Sequence, residues 1–263
     1  MARWFVSNVP PWLLLTGLVV VISGGTAAVQ VLVRQRFPHL RAGGRNEVAQ
    51  FVYPVVGLIY GFLMGFMVLA LWGQVTTADQ TTRTEGAAAV QLARSAEAFG
   101  KPEAARIRQN LLAYGHAATA EWPRASAGRT TPETEDALHR LHTTYESITP
   151  RNDSQRAFLT GSLASLRDLT SARTQRLLQA RTNTGPPLAL WLVIFLNSGL
   201  VLGFSVVFDA QQPRLHYGMV ATVSILVAAN LFLIAELAYP YLGQFATSPA
   251  PLDADFPVLS TLG

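Results

Sequence analysis

The chain has 263 residues, half of them hydrophobic and 14% charged, with a formal charge of +4 and no cysteine. So low a charged share, against ~25% in ordinary soluble domains, argues against a soluble globular protein. The basic residues are nearly all arginine and gather at the ends of apolar runs or along polar stretches, which points to membrane topology and away from a nucleic-acid partner. Without cysteine there is no disulfide framework, thiolate nucleophile or cysteine-based zinc site.

In chain order, Arg3 and the apolar run after it have the outline of a signal peptide. The run continues through Val29-Gln30-Val31-Leu32-Val33 to Arg34, a full span with a basic stop, so it is expected to remain as an anchor. Four apolar stretches occur, at residues 11–33, 48–72, 187–208 and 217–241. At ~1.5 Å per residue each can cross a ~30 Å hydrocarbon core as a helix. The expected fold class is all-α: an integral membrane protein with four transmembrane helices and a helical-bundle insert between the second and third. The domains are residues 11–72 (helices 1 and 2), 73–185 (insert), 186–243 (helices 3 and 4) and 244–263 (extended tail).

No proline falls between Trp72 and Pro102, so the second span is expected to leave the bilayer as one long helix. Gly100-Lys101-Pro102 ends it and starts a helix over 102–120. A loop is expected from Trp122-Pro123 to Thr131. Thr131-Pro132-Glu133 is then a helix start, with a capping hydroxyl, a proline at the first helical position and acids at the positive dipole end. That helix should reach Ile148. A last helix, 154–181, carries Phe158, Leu159, Leu163, Leu166, Leu169 and Leu177 as a stripe. Together these helices read as an antiparallel bundle.

Arg34, Arg36, Arg41 and Arg45 crowd the short first connection, and the positive-inside rule places it in the cytoplasm. The insert and both termini would then be extracytoplasmic, in a multi-pass protein of the plasma membrane. Arg173, Arg176 and Arg181, close to the third span, argue the other way.

Gly57, Gly61 and Gly65 form a side-chain-free strip on the second span, extended by Gly73 and repeated by Gly199 and Gly203 on the third. Close helix packing is the favoured reading of such a strip, and a narrow pore-lining face the sharper alternative. Gln30, Asn197, Asn230 and Glu236 are the polar residues inside the spans. An ionisable group there is a functional candidate by default, so Glu236 is either a pore or proton group or an interfacial bridge. Tyr217, Tyr239 and Tyr241 fit an aromatic belt. Glu135, His139 and His142 share one helical face, but with no remote partner no metal site is expected. Gly43-Gly44-Arg45 lacks the rest of a phosphate loop and there is no G-x-S-x-G. The chain is not read as an enzyme and no cofactor is expected.

Certain segments, in this order and spacing, resemble the bestrophin-like domain family over almost the whole chain. They begin with Arg34-Gln35-Arg36-Phe37-Pro38-His39, Asn46-Glu47-Val48, Val55-Val56-Gly57-Leu58-Ile59-Tyr60 and Trp72. Glu85-Gly86-Ala87, Tyr114, Glu121-Trp122-Pro123, Arg173 and Arg176 follow, then Pro187-Leu188-Ala189-Leu190-Trp191 and Pro240-Tyr241-Leu242-Gly243. The resemblance implies a four-span helical membrane protein with a distant kinship to bestrophin anion channels. Two departures stand out. Gly73 follows the tryptophan, and Ala238 lies two residues before Pro240, where the family tends to have acids. If those carboxylates hold an ion, the site here is lost or moved, Glu236 being the nearest acid. The expected function is a homo-oligomeric ion channel or transport protein in a lipid bilayer, its partners being inorganic ions and copies of itself. Anion preference would come from the field of the four loop arginines. The alternative is a non-conducting sensor or scaffold whose bundle binds a ligand or partner.

Overall fold

The computed structural model describes residues 2–36, 46–125, 128–182, 185–207 and 213–250. Among them the regular structure is helical and no strand occurs. The helices are α1 (Ala2–Asn8), α2 (Pro11–Arg36), α3 (Asn46–Ser95), α4 (Lys101–Ala125), α5 (Pro132–Glu146), α6 (Asp153–Thr182), α7 (Leu188–Val207) and α8 (Pro213–Leu237). Among the described residues, four helical stretches are long and apolar enough to cross a membrane: Pro11–Arg36, Phe51–Phe99, Leu188–Val207 and His216–Leu237.

The chain divides into two compact units, residues 1–73 with 184–245 and residues 74–183 with 246–263. In the first, α2 packs along α8, and α7 packs on both. Its interior is drawn from Ile194, Val201, Val220, Val227 and Ile234, all at or below 4% exposure. Phe51, Leu58, Phe62, Leu188 and Leu196 point outward, as lipid-facing side chains must where the solvent is hydrocarbon.

α3 has 50 residues, about 75 Å at the α-helical rise. Its composition changes beyond Trp72 from apolar to Thr, Gln and Ala, so one helix serves two solvents. In the second unit it meets α4, α5 and α6 over Leu92, Ile107, Leu111, Leu141 and Leu169, each fully buried. Ser162 on α6 donates to Ser95 at 2.8 Å, and Tyr145 on α5 donates to the Leu92 carbonyl at 3.3 Å.

Four elements differ from the sequence reading. α4 runs through Trp122-Pro123 to Ala125, where a loop was expected. A proline so near a helix end removes one backbone hydrogen bond, while Glu121 and Trp122 continue the buried face. α8 stops at Leu237, so Tyr239-Pro240-Tyr241 is a turn, because the residue before a proline is pushed out of the helical region. The α6 stripe is narrower than expected: Leu166, Leu169 and Leu177 are buried, but Phe158 and Leu163 stay 48% and 44% exposed. α1 was not anticipated. Seven residues carry too little periodicity to announce a helix, and α1 is held by Val6, which packs against Ala238 and Tyr239.

Candidate functional site

In the first unit a feature with room for function is on α3. An open groove of about 460 Å³ follows Gly57, Leu58, Gly61, Phe62, Gly65 and Phe66. A Cβ built on any of the three glycines meets no atom within 4 Å, so in the single chain the strip is unfilled. Phe62 and Phe66 lie 5.3 Å apart between ring centroids and wall the groove.

The polar residues of the spans separate into distinct places. Tyr60, next to Gly61, is buried at 2% exposure and faces Ser198 of α7 and Asn230 of α8. The hydroxyls of Tyr60 and Ser198 are buried without a hydrogen-bond partner, so Asn230 lies near them without closing a bonded cluster. Asn197 bonds within its own helix, its Nδ2 donating to the Val193 carbonyl at 2.8 Å. Gln30 is 1% exposed on α2, with neither amide atom hydrogen-bonded.

Glu236 is 1% exposed, and its Oε2 accepts from the backbone N–H of Gln244 at 2.9 Å. It closes the turn after α8, where Gly243 (φ +89°) lies against Glu236 and Val6. Arg34 stacks on the Tyr217 ring at 4.8 Å, and Arg36 is exposed. Arg41 and Arg45 lie outside the described residues.

The second unit holds a constellation that residue-type reasoning did not assemble. Arg176 of α6 donates from Nε to Glu85 Oε2 at 2.9 Å and from Nη2 to Oε1 at 3.0 Å. Tyr114 of α4 donates to the same Oε1 at 2.6 Å, and the Arg176 guanidinium lies 4.9 Å from the Trp122 ring centroid. One turn earlier on α6, Arg173 donates to Glu121 Oε1 at 3.1 Å and to Glu135 Oε1 at 3.2 Å. Glu121 also accepts from the Thr131 backbone N–H at 2.7 Å, which pins the start of α5. Glu85, Glu121 and Arg176 are each at or below 1% exposure and Arg173 is at 4%. The two fully buried carboxylates are therefore matched by two buried guanidinium groups, as burial of charge requires.

Burial pushes the Tyr114 hydroxyl well above its ordinary range, and the Glu85 charge adds to this, so Tyr114 stays a donor. Burial by itself would lower the Arg176 pKa, but the charge and hydrogen bonds of Glu85 more than offset it and the direction is upward. Glu135 is thus taken by Arg173, and His142 donates from Nδ1 to the Leu138 carbonyl at 2.9 Å.

Glu85, Tyr114 and Glu121 were visible in the sequence solely through the family resemblance. Glu85 and Arg176 are 91 residues apart, and no local spacing announces such a pair. Arg173 and Arg176, one turn apart in the otherwise apolar register of Leu166, Leu169 and Leu177, were the available local signal.

No curated protein sequence matches the chain. Solved structures do. A bacterial bestrophin homologue from Klebsiella pneumoniae, a single-substitution variant, aligns with TM-score 0.68 and 14% identity, over 94% of this chain and 98% of that one. A second variant of that homologue gives TM-score 0.65 and 17% identity over 95% and 96% of the two chains. At such identities the likeness is one of fold. Residues 20–252 match the Bestrophin-like domain, and the chain, a multi-span helical membrane protein, belongs to that family.

Proposed function

We propose that this protein is the subunit of a homo-oligomeric ion channel of the plasma membrane, with α3 facing the oligomer axis. The observation that carries the proposal is the unfilled strip of Gly57, Gly61 and Gly65 with its flanking Phe62 and Phe66. In lipid the hydrophobic drive between helices is weak, and small residues mark where helices approach closely. Copies arranged about an axis would bring the apolar side chains of this face into a ring, and such constrictions gate by dewetting. Asn230, beside Tyr60 and Ser198, would brace α3 from behind. Glu236 would anchor the end of α8 and not line the path, in keeping with its bond to Gln244. Arg34, Arg36, Arg41 and Arg45 would supply a positive field at one mouth and with it a preference for anions.

The test is purified full-length protein in liposomes under chloride and potassium gradients. Ion flux with a reversal potential displaced toward chloride is expected. Absence of flux under every gradient overturns the channel reading, and a potential at the potassium limit overturns the anion preference.

The proposed orientation, with an extracytoplasmic insert, rests on the loop arginines. Because the chain has no cysteine, a single Cys at exposed Arg129 can be labelled in intact cells with an impermeant reagent. Failure to label places the insert in the cytoplasm.

A further inference from the structure

The second unit contains a groove of about 330 Å³ between the polar half of α3 and the middle of α6. Thr77, Thr81 and Thr84 recur at helical spacing on one wall, and Asp168, Ser171 and Gln175 on the other. Ala172, at 4% exposure, forms the floor, and its small side chain leaves the space between the walls open.

The charge of the groove is one-sided, and two of its hydroxyls are already spent as donors. Thr81 spends its hydroxyl proton on the Thr77 carbonyl at 2.9 Å, and Thr84 spends its own on the Gln80 carbonyl at 2.9 Å. Both oxygens are therefore left to act as acceptors. Asp168 is the sole charged residue lining the groove. Asp79, Glu85, Glu97, Glu103, Glu121 and Glu135 of this unit each pair with an arginine. Glu133 and Asp153 sit in first turns, where the helix dipole compensates them. Asp136, Glu146 and Asp168 have neither form of compensation, and of these three Asp168 is the one that lines the groove.

We propose that this groove binds a nitrogen cation carrying several N–H donors, an ammonium or a guanidinium, with Asp168 as counter-charge. The hydroxyl oxygens of Thr81 and Thr84 and the amide carbonyls of Gln80 and Gln175 take the remaining donors. An anion is disfavoured by the lone carboxylate and the lack of any basic lining residue. A divalent metal is disfavoured because no group of three His, Cys, Asp or Glu occurs among the described residues. The volume lies at the small end of the ~300–1,000 Å³ range of ligand pockets, right for a small cation or one side-chain head group. The cation is either a free small molecule or an arginine of a second copy. A ring of identical subunits needs two different and complementary patches on each, and an acceptor-lined groove complements an exposed arginine. The site does not depend on whether the protein conducts.

The test titrates full-length protein with methylguanidinium chloride, and separately with tetramethylammonium chloride, which has equal charge and no N–H donor. Calorimetry is run at constant ionic strength. Saturable binding of methylguanidinium alone is expected, weakened about tenfold by Asp168→Asn, the loss of one charge-assisted interaction. Gln175→Ala should weaken it by a smaller factor. Equal responses to the two cations, or unaltered binding in Asp168→Asn, overturn the proposal. Light scattering separates the sources. If the cation is an arginine of a second copy, Asp168→Asn and added methylguanidinium both lower the oligomer mass. If it is a free ligand, both leave the mass unchanged.

Discussion

Arg176 reaches from α6 to Glu85 on α3, 91 residues away, and meets its two carboxylate oxygens at 2.9 and 3.0 Å with neither side chain more than 1% exposed. α3 and α6 are the helices that open and close residues 74–183 of the second unit. The pair therefore sets their register against each other. Its geometry is bidentate, the arrangement that best repays the desolvation of both ions.

Glu85→Gln should be severely destabilising, by about 3–5 kcal/mol, because it leaves the Arg176 charge buried and uncompensated. Replacing both partners, Glu85→Leu with Arg176→Met, should cost less than Glu85→Gln alone, since no charge is stranded. Thermal unfolding of the single and double variants in detergent checks this, and additive losses would refute the pairing argument.

Burial pushes the Tyr145 hydroxyl up to about 12, and the Tyr114 hydroxyl is raised well above its usual value. In the unfolded chain both ionise near pH 10. From there upward the unfolded state binds fewer protons than the folded one, so stability falls as pH rises through 10 toward 12. Below pH 10 these groups give no pH dependence. Tyr145→Phe and Tyr114→Phe should each flatten the alkaline decline in unfolding temperature, and an unchanged slope in both would exclude tyrosine as its source.

Two glycines should respond in opposite directions. Gly128 has φ +71°, and a Cβ there collides with Arg181, whose Nε donates to the Gly128 carbonyl. Gly128→Ala should cost about 2–4 kcal/mol, from the left-handed backbone and the overpacking together. Gly61→Ala meets nothing within 4 Å and should leave the fold intact or stabilise it by up to ~1 kcal/mol. Unfolding temperatures of the two variants test the contrast.

Gly61→Leu separates fold from assembly. The single chain has space for the side chain, so helicity and expression should persist, whereas a neighbouring helix could no longer approach the strip. A smaller species on native gels is expected. An oligomer of unchanged size would remove the strip from the interface.

Tyr60→Phe removes a buried hydroxyl that has no hydrogen-bond partner, so it should cost little and several-fold less than Glu85→Gln. A loss of unfolding temperature as large as that of Glu85→Gln would show that the hydroxyl is bonded to Ser198 or Asn230.

The four spans were legible because their signal is length and apolarity along the chain, which need no partner to be read. The end of α4 was misread because Pro123 is a strong local breaker, and burial of Glu121 and Trp122 overrides it. Glu236 was legible as an unusual residue and not as a turn anchor, since its partner is a backbone N–H eight residues on.

What the sequence determined by itself is the class of solvent each segment can tolerate: hydrocarbon for α2, α7, α8 and the first half of α3, water for the rest. Apolar length and charge are one-dimensional quantities, so they suffice for this. Which charges are paired was decided by tertiary structure alone. Arg173 and Arg176 read in the sequence as topology signals beside a span, yet they are ion-paired in the core of a bundle, while Asp168 is left exposed in an acceptor-lined groove. The physical reason is distance: a Coulomb pair acts over a few ångströms in space, and 91 residues of helix and turn must fold before Glu85 and Arg176 are that close.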